Sequence, residues 1–161
     1  MRTLHTTRRR IVAAVTIALT GILLLGSVPV SSGAASGGDD RVGRRLQMLG
    51  LTNQDRDARD REELNLARVL SRYAKRHSEQ MANKGYIYHS TETELRKALE
   101  GYNWSIGGEN VGVGGSLESL EEAFMASKLH RQNILRPAFQ RAAVGVVRDG
   151  DRFWVTVIFY G

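Results

Sequence analysis

The sequence predicts an α+β fold in which helices cover both faces of a central, mostly antiparallel sheet, giving a three-layer α/β/α sandwich. Two apolar runs near the end of the chain, residues 142–148 and 153–160, flank the turn signal RDGD at 148–151. Both runs carry apolar side chains on both faces, so the hairpin has to be covered on both sides. Amphipathic helical patterns earlier in the chain supply the two covering layers. The length of 161 residues fits one globular domain.

The first 34 residues have the pattern of a signal peptide. A basic start up to Arg10 is followed by an apolar run, and Ser32-Gly33-Ala34 offers a small-residue cleavage site. We therefore predict a secreted or otherwise extracytoplasmic protein, exported by the Sec route or, because residues 7–12 resemble a twin-arginine pattern, by that route. The alternative is an uncleaved anchor across residues 11–30, which would be the only membrane contact.

The remaining chain is expected to consist of a flexible linker and one domain. Residues 35–45 begin in a tract of Gly, Ser and Ala, which predicts the linker, and residues 46–161 form the predicted domain. Because four of the 23 Lys and Arg residues precede the apolar run, 19 basic residues face 17 acidic ones in the rest. That balance argues against nucleic-acid binding. The absence of cysteine excludes disulfides and thiol catalysis.

The elements follow in order from these patterns. A first helix is expected from about residue 46, and the mixed charge run at 55–63 is typical of a solvated, self-paired surface. Residues 63–66 alternate like a very short strand. An apolar stripe from Leu66 to Met81 at helical spacing predicts the second helix, which Gly85 ends.

The second half of the domain alternates helices and strands. A short helix is predicted at 92–100, a glycine-flanked strand at 107–113, and a helix capped by Ser116 that presents Leu117, Leu120 and Phe124 to the core. The hairpin described above completes the domain.

Three histidines and one glutamate are the candidates for chemistry. His77 lies on an apolar helix face and is expected to be a hydrogen-bonded core imidazole. His89 falls in a loop rich in tyrosine, and His130 falls among basic residues. Glu109 follows two glycines, whose lack of side chains lets its carboxylate approach the backbone closely. Two imidazoles and a carboxylate are a sufficient set for a zinc ion with an open water position.

Five blocks, in this order along the chain, resemble the signatures of the CAP superfamily (cysteine-rich secretory, antigen five and pathogenesis-related domains, also called SCP) in its short bacterial form. They are LTNQDR at 51–56, YIYHS at 86–90, GENV at 108–111, FMASKLHRQNIL at 124–135 and AVGV at 143–146. The resemblance covers about residues 46–161. It implies the α/β/α sandwich and a large cleft in which two His and two Glu converge, often able to hold zinc.

Three of those four cleft positions are matched by His89, Glu109 and His130. The second glutamate is absent, and Ser127 stands at its position; Ser127 is expected to face the cleft as a weak ligand at best. Asn110 and Asn133 belong to the same blocks and are assigned structural roles. A Ser127–His130 pair lacks an acid to orient the imidazole, which argues against nucleophilic catalysis.

Three functions remain open at this stage. The resemblance implies a monomeric binding module for a small apolar or cell-envelope ligand, such as a lipid or sterol. The alternative is a zinc-assisted hydrolase or peptidase, in which His89 and His130 hold the metal and Glu109 is the general base. The third is an envelope interaction protein whose cleft only stabilises the fold. A zinc ion bound by both imidazoles would place their nitrogens roughly 3.3 Å apart. In an empty site the same nitrogens are expected to lie about 5 Å apart.

Overall fold

The computed structural model describes residues 39–161, so the predicted signal peptide and the start of the linker lie outside the described residues. None of the helices in this part of the chain carries an apolar stretch that could cross a bilayer. The elements are α1 (Asp39–Asp57), β1 (Asn65–Leu66), α2 (Ser71–Lys84), α3 (Glu92–Leu99), β2 (Gly107–Gly114), α4 (Leu117–Ala126), α5 (Lys128–Ile134), β3 (Arg141–Asp149) and β4 (Arg152–Tyr160).

The four strands form one sheet in the order β1-β3-β4-β2. β3 and β4 are the predicted antiparallel hairpin, and Gly150 takes the left-handed conformation in its turn with φ of 59°. β2 pairs antiparallel with β4, whereas the two-residue β1 pairs parallel with β3. The prediction of a mostly antiparallel sheet is therefore confirmed.

Helices cover both faces of this sheet. On one face Val155, Val157 and Phe159 of β4 pack with core residues of α1, α4 and α5. On the other face Ile158 and Tyr160 pack against α2 and α3. The alternation of buried apolar residues along β4 thus supplies two cores, which gives the predicted three-layer sandwich.

One glycine sets the distance between α2 and the sheet. A Cβ atom on Gly145 of β3 would lie 2.2 Å from the carbonyl carbon of Ala74. No side chain fits in that space, so the helix backbone lies directly on the strand. Ser78 of α2 donates to the Gly145 carbonyl at 3.2 Å and to the Thr156 hydroxyl at 2.9 Å, which holds the helix at this position.

Residues 39–45, which the sequence assigned to a flexible linker, are helical. α1 begins at Asp39, directly after the last residues of the Gly/Ser tract. Asp40 and Arg44 form an ion pair one helical turn apart, with the acid near the positive end of the helix dipole. The change from small residues to charged ones therefore marks the start of the helix and not a continuation of the linker.

Candidate functional site

Glu109 is the buried centre of the predicted cluster. It lies in β2, and its side chain is only 4% exposed. The carboxylate accepts hydrogen bonds from the Ser90 amide at 2.9 Å, the Ser90 hydroxyl at 2.7 Å and His89 Nδ1 at 3.0 Å. The close approach to the backbone expected for this carboxylate is thus one bond to an amide, and a hydroxyl and an imidazole complete the set of donors. Each of the two oxygens is engaged.

Gly108 allows α5 to pack closely on β2. A Cβ atom on Gly108 would lie 2.8 Å from Asn133 Oδ1, so a larger residue would displace the Asn133 side chain. The glycine before Glu109 therefore makes room for α5, whereas the carboxylate itself bonds to His89 and Ser90.

His89 stands in the loop between α2 and α3, with 56% of its side chain exposed. α2 ends at Gly85, whose φ of 75° turns the chain back over the sheet. Because a carboxylate can only accept, the hydrogen bond to Glu109 places a proton on Nδ1, and in the neutral form of the ring Nε2 is then the acceptor atom. Glu109 thus fixes both the orientation and the tautomer of an imidazole that solvent can reach.

His130 lies on α5 and faces His89. The two ring centroids are 6.4 Å apart, and the His130 ring also contacts Phe124 edge-on, with 5.0 Å between the centroids. Partial burial, and secondly the charge of His89, lower the pKa of His130. The lowered pKa favours the neutral form of this ring. The two imidazole rings therefore lie next to each other, as the motif resemblance implies.

Asn110 and Asn133 connect β2, which carries Glu109, to α5, which carries His130. Asn110, fully buried, donates from Nδ2 to the His130 carbonyl at 3.1 Å. Asn133 Nδ2 lies 2.9 Å from Asn110 Oδ1 and 3.2 Å from the Glu109 carbonyl, donating to both. These bonds fix α5 against β2, which agrees with the structural role expected for both asparagines.

Ser127 is half-buried at the junction of α4 and α5, three residues before His130. It ends α4 and precedes α5, so it does not lie within a continuous helix that also carries His130. The helix is broken at Ser127, which lies between α4 and α5. This arrangement gives no support to a Ser-His nucleophile pair.

Sequence reasoning missed Ser90, which is the link between the cluster and the core. Its hydroxyl lies 3.5 Å from His77 Nδ1 and from the Tyr73 hydroxyl, in addition to its bond to Glu109. His77 is buried and its Nε2 lies 2.9 Å from the Tyr88 carbonyl oxygen, as expected for a hydrogen-bonded core histidine. The sequence feature that could have identified Ser90 was its position directly after His89.

The donor set does not fit a catalytic zinc centre. Such a centre takes three protein ligands and keeps one position open for water. Here the cluster offers two imidazoles, while hydrogen bonds already engage both Glu109 oxygens. Across residues 39–161, no three His, Asp or Glu side chains are arranged to hold a metal ion. The zinc site thus lacks a third ligand from this part of the chain.

Comparisons with known proteins agree with the fold. A family model described as cysteine-rich secretory protein family, CAP, matches residues 49–159. YkwD, an uncharacterised protein of Bacillus subtilis strain 168, is 32% identical over 111 residues, which are 65% of this chain and 43% of YkwD.

Two solved structures are similar over most of the chain. One is an extracellular protein of Bacillus anthracis that contains an SCP domain, with a TM-score of 0.63, 26% identity and coverage of 80% of this chain and 45% of that one. The other is a cysteine-rich secretory protein of Staphylococcus aureus, with a TM-score of 0.63, 20% identity and coverage of 84% and 41%. The chain spans less than half the length of each of these three proteins.

Proposed function

We propose a binding function from the premise that this chain belongs to the cysteine-rich secretory protein (CAP) family, whose model matches most of its length. The protein acts outside the cytoplasm and takes a small apolar or cell-envelope ligand at the cleft of His89, Glu109 and His130. The extracellular B. anthracis protein of similar fold supports the location.

The hydrogen bonding of Glu109 is the observation that carries this proposal. A general base needs a free lone pair directed at the water or substrate whose proton it removes. Both Glu109 oxygens instead face Ser90 and His89, and the side chain is 4% exposed. Three hydrogen bonds thus hold a carboxylate that is nearly shielded from solvent, which supports a role for Glu109 in orienting His89 within a preorganised binding site.

Large apolar side chains lie near the two histidines in the sequence. Tyr86 and Ile87 precede His89, Leu129 precedes His130, and these three are 47–72% exposed. Phe124 lies under the His130 ring. Large apolar side chains exposed beside convergent polar groups are typical of ligand sites. The cleft therefore suits a ligand with an apolar body and a polar group that hydrogen-bonds an imidazole.

The fluorescent fatty acid cis-parinarate tests the proposal. We expect saturable binding by the purified chain, weakened about tenfold by Leu129→Ser and by His130→Ala. Leu46→Ser is the control, because Leu46 is also an exposed leucine, at 48% against 72% for Leu129, but lies on α1. Equal affinities of Leu129→Ser and the wild type would argue against the apolar site. Saturable binding that neither variant weakens would place the ligand elsewhere.

The second candidate is a hydrolase, favoured by the Glu109–His89 hydrogen bond. That bond leaves His89 Nε2 as an oriented acceptor, which can remove a proton from water without a metal. Hydrolysis of p-nitrophenyl acetate that His89→Gln abolishes and the surface variant Arg152→Gln retains would support it. The third candidate, a purely structural cleft, requires that Glu109→Gln lower the unfolding temperature of a chain that binds no ligand.

A further inference from the structure

A second groove lies between α2 and α3, outside the cleft of the two histidines. Its volume is about 640 Å³, which is in the range of pockets that hold drug-sized ligands. Eight of its eleven lining residues carry polar side-chain atoms, and the apolar ones are Val69, Leu70 and Ala98. A groove of this composition suits a polar ligand better than a lipid chain.

Three cations line this groove without an acidic partner. Arg72 and Arg76 are one turn apart on α2, and Lys97 lies on α3. Among residues 39–161, Arg59 and Arg96 have carboxylate partners, whereas these three, like several other basic side chains, have none. Burying them under a neutral ligand would cost free energy, whereas an anionic ligand would supply the missing partner.

The one acid in the groove is already engaged. The Glu94 carboxylate accepts hydrogen bonds from the amide and the hydroxyl of Thr91, both at 2.8 Å, in the capping box at the start of α3. It is therefore held at the helix terminus, and its single negative charge offsets only one of the three positive charges. The groove keeps an excess of positive charge that favours carboxylate or phosphate groups.

Two tyrosines give the groove a ligand preference that does not depend on charge. Tyr73 and Tyr102 line it, and the Arg76 guanidinium lies 5.8 Å from the centroid of the Tyr73 ring. A phenol combines an apolar face with a hydroxyl group. Sugar rings present the complementary combination of C–H faces and hydroxyls, which a simple inorganic anion lacks.

We propose that the α2–α3 groove binds a segment of an anionic glycan, in which carboxylate-bearing sugar rings pair with Arg72, Arg76 and Lys97 and pack against Tyr73 and Tyr102. The proposal does not depend on the function of the histidine cleft, because none of the groove's cations or tyrosines belongs to that cluster. It assigns to an exported protein a contact with acidic polysaccharide.

Calorimetric titration of the purified chain with trigalacturonate tests this assignment. We expect saturable binding, no binding of the neutral trisaccharide maltotriose, and weaker binding of tripolyphosphate, which has more charge but no ring. Arg72→Gln and Lys97→Gln together should weaken trigalacturonate binding at least tenfold. The control is Arg152→Gln with Arg148→Gln, which removes the same charge from the β3–β4 hairpin and should change the affinity less than twofold.

Several results would overturn the proposal. Absence of trigalacturonate binding, or equal loss in the hairpin control, would show that the groove has no specific site. Tripolyphosphate binding as tight as that of trigalacturonate would refute recognition of the sugar ring. Since all four substituted side chains are exposed, the variants should fold, and circular dichroism checks this. Lys97→Gln alone, expected to weaken binding about threefold, provides a milder second test.

Discussion

The buried carboxyl group of Glu121 should make the stability of the protein fall as pH rises. Glu121 lies on the inward face of α4 and is 3% exposed. Thr52 of α1 donates to Oε2 at 3.1 Å, while Oε1 is buried without a hydrogen-bond partner among the described residues. Burial raises the pKa of Glu121 from 4.5 to about 7; the Thr52 bond opposes this rise and the nearby Asp55 adds to it.

The sign of the pH effect follows from the raised pKa. Between pH 4.5 and about 7 the folded state holds a proton at Glu121 that the unfolded state has released, so the free energy of unfolding falls over this window. A shift of about 2.5 pKa units corresponds to a loss of roughly 3 kcal/mol. Below pH 4.5 both states are protonated, and above about 7 the loss is complete.

Glu121→Gln isolates this effect, because glutamine keeps the size of the side chain and an oxygen that Thr52 can donate to. Urea unfolding at several pH values between 4 and 8 measures the difference in free energy of unfolding between variant and wild type. We expect the difference to move in favour of the variant by about 3 kcal/mol from the acidic to the neutral end. Glu122→Gln removes the same charge from the exposed side of α4 and is the control.

A difference between Glu121→Gln and the wild type that does not change with pH would refute the reasoning. It would show that water or a rearrangement of α1 stabilises the ionised carboxylate in the folded state. A similar slope in Glu122→Gln would instead attribute the effect to the general charge of α4.

Three further predictions concern the sheet and the cluster. Gly145→Ala should lower the free energy of unfolding by several kcal/mol in chemical denaturation, because its Cβ would overlap the α2 backbone; unchanged stability would contradict this packing. Ser90→Ala removes one of the three donors to Glu109, and we expect nitrogen NMR of His89 to show an altered tautomer balance, whereas Ser105→Ala should leave that balance unchanged. Zinc should bind weakly, with micromolar or poorer affinity, and His130→Ala should weaken it further; equal zinc affinity in wild type and variant would exclude His130 as a ligand.

The fold could be predicted from the sequence where a local pattern and its tertiary use coincide. The hairpin is one example, because the turn signal at 148–151 and the two-sided apolar strands specify both the pairing and the burial. Ser116 is another, since it caps α4 with its side chain accepting from the Ser119 amide. Such features are encoded within a few residues and do not depend on distant partners.

The cluster was predictable only in part, because its contacts join residues far apart in sequence. Motif resemblance identified His89, Glu109 and His130, and the structure places them together. It did not show that Ser90 occupies two positions around the carboxylate and thereby removes it from solvent. That detail separates a positioning glutamate from a general base, and spacing along the chain contains no information about it.

Arg56 shows why the charge pattern alone does not predict the structure of residues 55–63. Its neighbours behave as expected, since Arg59 pairs with Asp55 one turn earlier. Arg56 itself is 1% exposed and donates to the carbonyl oxygens of Glu62, Ile134, Arg136 and Phe139, at 2.6–3.2 Å. These four carbonyls lie where the chain leaves α1 and α5, and the bonds to Ile134 and Phe139 are buried, so loss of the guanidinium would leave buried acceptors without a donor. The buried cation thus joins α1 to the segment that positions His130, a role set by backbone geometry that no pattern of charges in the sequence specifies.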